Sequence, residues 1–182
     1  MLRSARFDDA DAVATVLIES RLAFLPFAPS AHPEQDIRSW MRNHLLASAR
    51  VVVCEEDGQI VGVLATSEEG QKSWIDQLYV LPGWTGRGIG SRLLEHAHRR
   101  LPRSIHLYTF QQNAGARRFY ERSGYQPIEF TDGQDNEEKC PDVLYVLAGA
   151  HTEAVDGLAI GGSSGAEPSA FDPDASRETP SK

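Results

Sequence analysis

The chain has 182 residues, 41% of them hydrophobic, and a formal net charge of −8 at pH 7. That length can bury one core without disulfides or metals, and the acidic balance excludes a general nucleic-acid binder. No apolar run approaches the ~20 residues that a membrane span needs, and residues 1–7 mix charge into their apolar positions, so no membrane partner and a cytoplasmic setting are expected.

In chain order, residues 1–7 read as a first strand. Asp8 and Asp9 then supply a helix start before Ala12, Val13, Val16, Leu17 and Leu22, which recur at helical spacing. Pro26 and Pro29 interrupt this, and a second helix begins near Pro33 with Ile37, Trp40, Met41, His44 and Leu45 on its face. Two β-branched runs, 50–55 and 59–67, flank Asp57-Gly58, a strong hairpin signal, and 73–80 adds a third antiparallel strand. Residues 88–101 carry Ile89, Leu93, Leu94, Ala97 and Leu101 on one helical stripe. A strand over 104–110, a helix over 113–123 closed by Gly124, and strands over 126–130 and 142–147 complete the order. The pattern predicts an α+β fold in residues 1–148, a single mixed sheet with helices on its faces. Residues 149–182 read differently: Gly, Ser, Pro and acidic residues dominate, with six acids against two bases and no apolar period. Such a segment cannot offset its ordering entropy by burial, so a disordered acidic tail is expected.

Cys54 and Cys140 lie far apart and form no metal-ligand pattern, and His96 and His98 point in different directions on one helix, so no metal is expected. The charge is unevenly distributed, however. From Arg87 to Arg122 there are eight arginines against two glutamates, a basic island suited to a phosphorylated small ligand or to solvated helix faces.

The strand 73–80 ends at Leu81-Pro82 and a glycine-rich turn, Gly86-Arg87-Gly88-Ile89-Gly90-Ser91, opens directly into a helix. Free amides and the helix dipole make that turn an anion site. It is not a P-loop, because no lysine ends the turn, and it lacks the GxGxxG spacing and parallel context of a dinucleotide fingerprint. A second segment, Asn113 to Tyr125, places Ala116, Phe119 and Tyr120 on one helix face behind a capping Asn113.

Together the two segments resemble the GNAT (Gcn5-related N-acetyltransferase) superfamily. The family's (Gln/Arg)-x-x-Gly-x-(Gly/Ala) turn is matched by Thr85-Gly86-Arg87-Gly88-Ile89-Gly90. Its Asn-x-x-Ala-x-x-(Phe/Leu)-Tyr-x-x-x-Gly-(Phe/Tyr) segment is matched by Asn113, Ala116, Phe119, Tyr120, Gly124 and Tyr125. Thr85 is a departure, standing where the family has Gln or Arg.

The resemblance implies a sheet of about seven mostly antiparallel strands, splayed between strands four and five, with about four helices. It implies acetyl-CoA as the acyl donor and an amine, on a small molecule or a protein, as acceptor, and it carries the expectation of a homodimer. On this pattern the pantetheine arm pairs with the backbone of Leu78 and Val80, and the pyrophosphate rests on the amides of Gly86, Arg87, Gly88, Ile89, Gly90 and Ser91. Asn113 contacts the cofactor arm, and Tyr120 protonates the departing thiolate. The attacking amine must be neutral, which asks for a base. Asp76 ranks first, on the argument that strand alternation directs it away from Gln77 and Tyr79, with His106 and Glu55 behind it. The N-terminal helices and the acidic loop 131–141, with Glu19 and Asp36, are expected to form the acceptor mouth, and Phe24, Phe27 and Trp40 to line it or to pack in the core. The function weighed against the enzyme is a catalytically idle acyl-CoA-binding module.

Overall fold

Asp57 and Gly58 both adopt left-handed backbone, with φ of 51° and 76°, and turn the chain tightly between β2 (Val51–Glu56) and β3 (Gln59–Glu69). The computed structural model describes residues 1–48, 50–102 and 104–148; the tail expected from residue 149 lies outside the described residues. β4 (Lys72–Val80) follows β3 antiparallel, and β1 (Leu2–Ser4) lines the other side of β2. With β5 (Ile105–Phe110), β6 (Gln126–Phe130) and β7 (Asp142–Leu147) the strands form one seven-stranded sheet in the order β1-β2-β3-β4-β5-β7-β6.

Every neighbouring pair is antiparallel except β4 and β5, which run parallel and pair only through Ser73–Ile105 and Trp74–His106. Beyond Trp74 the two strands part, and the sheet opens into a cleft between Leu78-Val80 and the rest of β5. The splay expected between strands four and five is thus present.

Among the described residues, four α-helices cover the sheet: α1 (Ala10–Phe24), α2 (Glu34–Trp40), α3 (Ile89–Arg100) and α4 (Ala114–Arg122). α1 buries Val13, Ala14, Val16, Leu17 and Ser20 against β3 and β4, while α3 buries Ile89, Leu93, Leu94 and Ala97 on the other face. At Gly62 on β3, an added Cβ would stand 2.8 Å from Ile89 Cγ2 and 3.0 Å from Leu93 Cδ1, so glycine sets how closely α3 lies on the sheet. The α2 helix continues as a π turn over Met41–Leu45.

Three expectations are corrected. The first strand is three residues long, because residues 7–9 are already a 3-10 turn ahead of α1. Leu22 is 75% exposed, and Ser20 takes the buried place instead; positions two apart on a helix point apart, so both cannot share the stripe. The plain alternation assumed through Asp76 does not hold. Thr66 pairs with Ile75 and Ala65 with Gln77, which leaves Asp76 as the extra residue of a β-bulge.

Candidate active site

The turn that closes β4 is built for an anion. Gly86 and Gly88 have φ of 75° and 78°, the left-handed region that glycine reaches without strain, and Gly88 is the residue ahead of α3. The first helical bond of α3 runs from Arg92 N to Gly88 O, so the amides of Ile89, Gly90 and Ser91 stand at the helix mouth. At Gly86 and Gly88 nothing lies within 4 Å of where a Cβ would sit, which leaves the backbone open to a ligand. Arg87 stacks over Trp84 at 4.7 Å, and Arg92 is tied to Glu56 at 2.6 Å. The Thr85 hydroxyl donates back to Pro82 O at 2.9 Å, so where the family's turn has a long Gln or Arg side chain, this one has a short group turned inward.

The backbone of β4 faces the cleft at alternate residues. Leu81 N donates to Val61 O at 2.9 Å, which places the odd-numbered residues in register with β3 and turns the N–H and C=O groups of Leu78 and Val80 away from it. One of these groups is already engaged: Ser20 Oγ of α1 donates to Val80 O at 2.7 Å.

Across the cleft, Asn113 caps α4, its Oδ1 accepting from Ala116 N at 3.1 Å. Gly124 ends the helix with φ of 93°, as expected of that position. Tyr120 is buried on α4, with the Phe119 and Tyr125 rings at 5.2 and 5.6 Å. Burial, with a smaller contribution from Tyr79, holds its phenol well above the usual range, so Tyr120 stays protonated at pH 7. Tyr145 anchors the helix to β7 by donating to Glu121 Oε1 at 2.6 Å.

Among the expected bases, Asp76 accepts from Ser67 Oγ at 2.8 Å, and burial pushes its carboxyl up to about 6 against the opposing effects of Ser67 and Arg50. Glu55 is bound to Arg3 at 2.7 Å, and His106 is buried against Trp74 at the closed end of the splay, where desolvation lowers its pKa. None of the three, Asp76 included, lines the cavity described next, which Gln77 beside Asp76 reaches.

On the α1 side of β4 a cavity of about 60 Å³ is lined by residues from α1, α2, β4 and the 131–141 loop, with Arg21, Tyr79 and Glu138 close together and His32 beside Glu137. Its apolar wall is Leu17, Ile37, Trp40 and Met41. The loop is held from within: Asn136 Nδ2 donates to Asp142 Oδ2 at 2.8 Å, and Thr131 Oγ1 donates to Asp142 Oδ1 at 2.6 Å. Gly133, with φ of 77°, lies so close to Cys140 that a Cβ would come within 2.2 Å of its carbonyl.

The acidic mouth is therefore smaller than its sequence suggested. Only Glu137 and Glu138 reach the cavity, and they pair with His32 and Arg21; Glu19 and Asp36 lie on exposed helix surface. Trp40 lines the cavity, Phe27 packs edge-on against Phe110 at 5.9 Å, and Phe24 is exposed. Sequence reasoning passed over Arg21 and Tyr79. The signal for Tyr79 was present in the alternation of β4, which sends it to the face opposite Leu78 and Val80.

A mixed sheet opened between two parallel strands, with an amide-lined turn at one end and a buried tyrosine across the cleft, is the architecture of an acyl-CoA-dependent transferase. Residues 15–125 match the Acetyltransferase (GNAT) family, and the chain belongs to it. It is 29% identical over 129 residues to the peptidyl-lysine N-acetyltransferase YiaC of Escherichia coli, covering 71% of this chain and 85% of that one. It is 32% identical over 132 residues to an uncharacterised N-acetyltransferase of Archaeoglobus fulgidus, covering 65% and 88%. The structure of the PaiA N-acetyltransferase of Thermoplasma acidophilum with coenzyme A superposes with a TM-score of 0.66 at 21% identity, over 81% of this chain and 98% of that one. The protein is an N-acetyltransferase by family, and coenzyme A is bound in that related fold.

Proposed function

We propose that the chain transfers an acetyl group from acetyl-CoA to a primary amine by direct attack within a ternary complex. The observation that carries this reading is the pair of openings at β4. One is the cleft faced by the backbone of Leu78 and Val80, and the other is the cavity behind Tyr79. Donor and acceptor can then approach the same strand from different sides.

In this reading Leu78 and Val80 pair with the pantetheine arm like an added strand. The Val80 carbonyl exchanges its Ser20 bond for the ligand or shares its second lone pair. The amides of Gly86, Arg87, Gly88, Ile89, Gly90 and Ser91 hold the pyrophosphate, because oriented N–H groups and the α3 dipole favour negative charge there. Asn113 keeps its capping bond through Oδ1 and offers its amide nitrogen to the cofactor arm. Tyr120, neutral because it is buried, gives its proton to the departing thiolate.

The acceptor arrives as an ammonium, with an ordinary pKa of about 10.4, and must shed one proton before it attacks. Asp76, beside the cavity residue Gln77 and ionised at neutral pH with its carboxyl near 6, takes that proton through water. The slim apolar wall of Leu17, Ile37, Trp40 and Met41 suits an alkyl arm. A lysine side chain has this form, which agrees with the activity named for the Escherichia coli relative.

The test is to incubate the protein with acetyl-CoA and spermidine, an aminoglycoside, free amino acids, and peptides presenting an N-terminus or a lysine, while following free thiol. Release above background with at least one amine is expected. Replacing Tyr120 with Phe should slow turnover far more than it weakens coenzyme A binding. No release with any amine, despite coenzyme A binding, would leave only the idle binding module.

A further inference from the structure

Ser20 stands in the apolar stripe of α1 with Val13, Val16 and Leu17, yet it carries a hydroxyl into a place only 3% exposed. A buried hydroxyl must find a partner, and on a helix the usual one is the carbonyl four residues back. Thr15 of the same helix does this, donating to Asp11 O at 2.8 Å. Ser20 instead donates out of the helix, to Val80 O at 2.7 Å, across 60 residues of chain.

The oxygen that accepts this bond lies on an open edge. Val80 stands opposite Gly62, where the backbone groups of β4 turn away from β3, and β5 pairs with β4 only as far as Trp74. Val80 O therefore sits at the lip of the cleft. A carbonyl oxygen has two lone pairs, and Ser20 takes one, which leaves the other for an N–H arriving in the plane of the sheet. Displacing Ser20 would leave its hydroxyl buried without a partner; sharing the oxygen avoids that cost.

The other end of the bond belongs to the cavity. Leu17, three residues before Ser20, and Arg21, directly after it, line that cavity from α1, while Gln77 and Tyr79 line it from β4. The bond thus ties together two of the elements that wall the cavity, and it does so on the oxygen that faces the cleft.

We propose that Ser20 is a positioning residue for both substrates: its hydroxyl sets the Val80 carbonyl for the pantetheine arm and fixes the α1 wall of the acceptor cavity against the strand that holds the donor. Without the hydroxyl, the Val80 peptide loses the bond that orients it. Leu17 and Arg21 lose the tie that sets their distance from Gln77 and Tyr79. Both substrates then bind less well, although no atom that makes or breaks a bond in the reaction has been touched.

This proposal rests on the acetyl-transfer reading, and wild-type turnover separates the two. A wild type that releases no thiol with any amine sinks that reading; a wild type that turns over leaves the role of Ser20 to be judged by its variants. The experiment uses the full chain with two donors, acetyl-CoA and S-acetylpantetheine, which keeps the arm and lacks the nucleotide. The acceptor probes are spermidine and a lysine peptide. Ser20→Ala and Ser20→Cys should raise the KM for acetyl-CoA 3- to 10-fold, and that for S-acetylpantetheine by the same factor, because the contact lies on the arm. The KM for the amine should rise at least threefold, with kcat within threefold of wild type. Cysteine fills the space of serine but is a weak donor, so its loss reports the bond rather than the packing. Val16→Ala removes buried bulk from the same stripe at a residue that does not line the cavity. It should lower Tm at least as much as Ser20→Ala and leave every KM within twofold of wild type. Michaelis constants within twofold of wild type in Ser20→Ala, a shift confined to one of the two substrates, or the same shifts in Val16→Ala would overturn the proposal.

Discussion

Arg21 on α1 and Glu138 in the 131–141 loop meet at 2.7 Å, with side chains only 15% and 10% exposed, across 117 residues of chain. The pair joins two of the segments that line the cavity proposed for the acceptor. Removing one partner leaves the other partly desolvated and unpaired, which costs more than a surface ion pair contributes. Glu138→Ala should therefore lower stability by about 1–3 kcal/mol in urea titration. It should also raise the KM for the amine while the KM for acetyl-CoA stays unchanged. A rise in both constants would place the loop's role in general folding rather than in acceptor binding.

Asp76 offers one substitution with two effects of opposite sign. Burial raises its carboxyl from an ordinary 3.8 to about 6, so the folded protein binds this proton more tightly than the unfolded chain. The ionised group costs nothing below about pH 4 and its full amount above about pH 6, at most about 3 kcal/mol. Asp76→Asn, which can still accept from Ser67, should be more stable than wild type at pH 7–8, with the gap closing as pH falls toward 4. Thermal unfolding across that range measures it. If Asp76 is the base, the same variant should lose roughly 100-fold in kcat/KM at neutral pH, together with the acid limb of the profile near pH 6. A variant that is both stabilised and fully active would confine Asp76 to a buried structural acid.

Gly62 tests how closely α3, and with it the amide-lined turn, must lie on the sheet. A Cβ there falls 2.8 Å from Ile89 Cγ2 and 3.0 Å from Leu93 Cδ1, both fully packed side chains. The overlap outweighs the few tenths of a kcal/mol gained by removing a glycine from the unfolded chain. Gly62→Ala should lose about 1–2 kcal/mol, seen as a lower urea midpoint at constant slope. Because Ile89 is the first residue of α3, acetyl-CoA binding should weaken in step. Unchanged affinity would show that the turn keeps its place when the helix behind it moves.

The β-branched runs of β2 and β3, the Asp57-Gly58 hairpin and the stripe of α3 were legible because each is a local pattern written in neighbouring residues. So were the glycine turn and the cap at Asn113, whose backbone demands are written in residue type. What the pattern left hidden is non-local. The bulge that makes Asp76 the extra residue arises from the pairing of β3 with β4, and no run of nine residues reveals it. Ser20 looks like a polar interruption of an apolar stripe until Val80 O is found 2.7 Å away. Arg21 reads as an exposed helix charge, and only folding brings Glu138 and Tyr79 to it. The acids of the 131–141 loop were visible as a cluster, yet which two of them reach the cavity depends on the Asn136–Asp142 bond that shapes the loop.

Thr85 is the place where the turn differs most plainly from its family, and its geometry says what the difference does. The hydroxyl is spent on Pro82 O at 2.9 Å, and Arg87, the nearest cation in the turn, lies over the Trp84 ring at 4.7 Å. On the proposed binding mode, the pyrophosphate is held by backbone amides and the α3 dipole, without the bidentate grip that an arginine supplies. Thr85→Arg should restore such a contact. The KM for acetyl-CoA should fall roughly 3- to 10-fold at low salt, since an exposed ion pair contributes about 1 kcal/mol, and the gain should shrink as ionic strength rises. Thr85→Val removes the bond to Pro82 while keeping the side chain's shape, and it should weaken acetyl-CoA binding only if that bond shapes the turn. If arginine gives no gain while valine gives a loss, Thr85 serves the conformation of the turn, and the phosphates lie out of reach of that position.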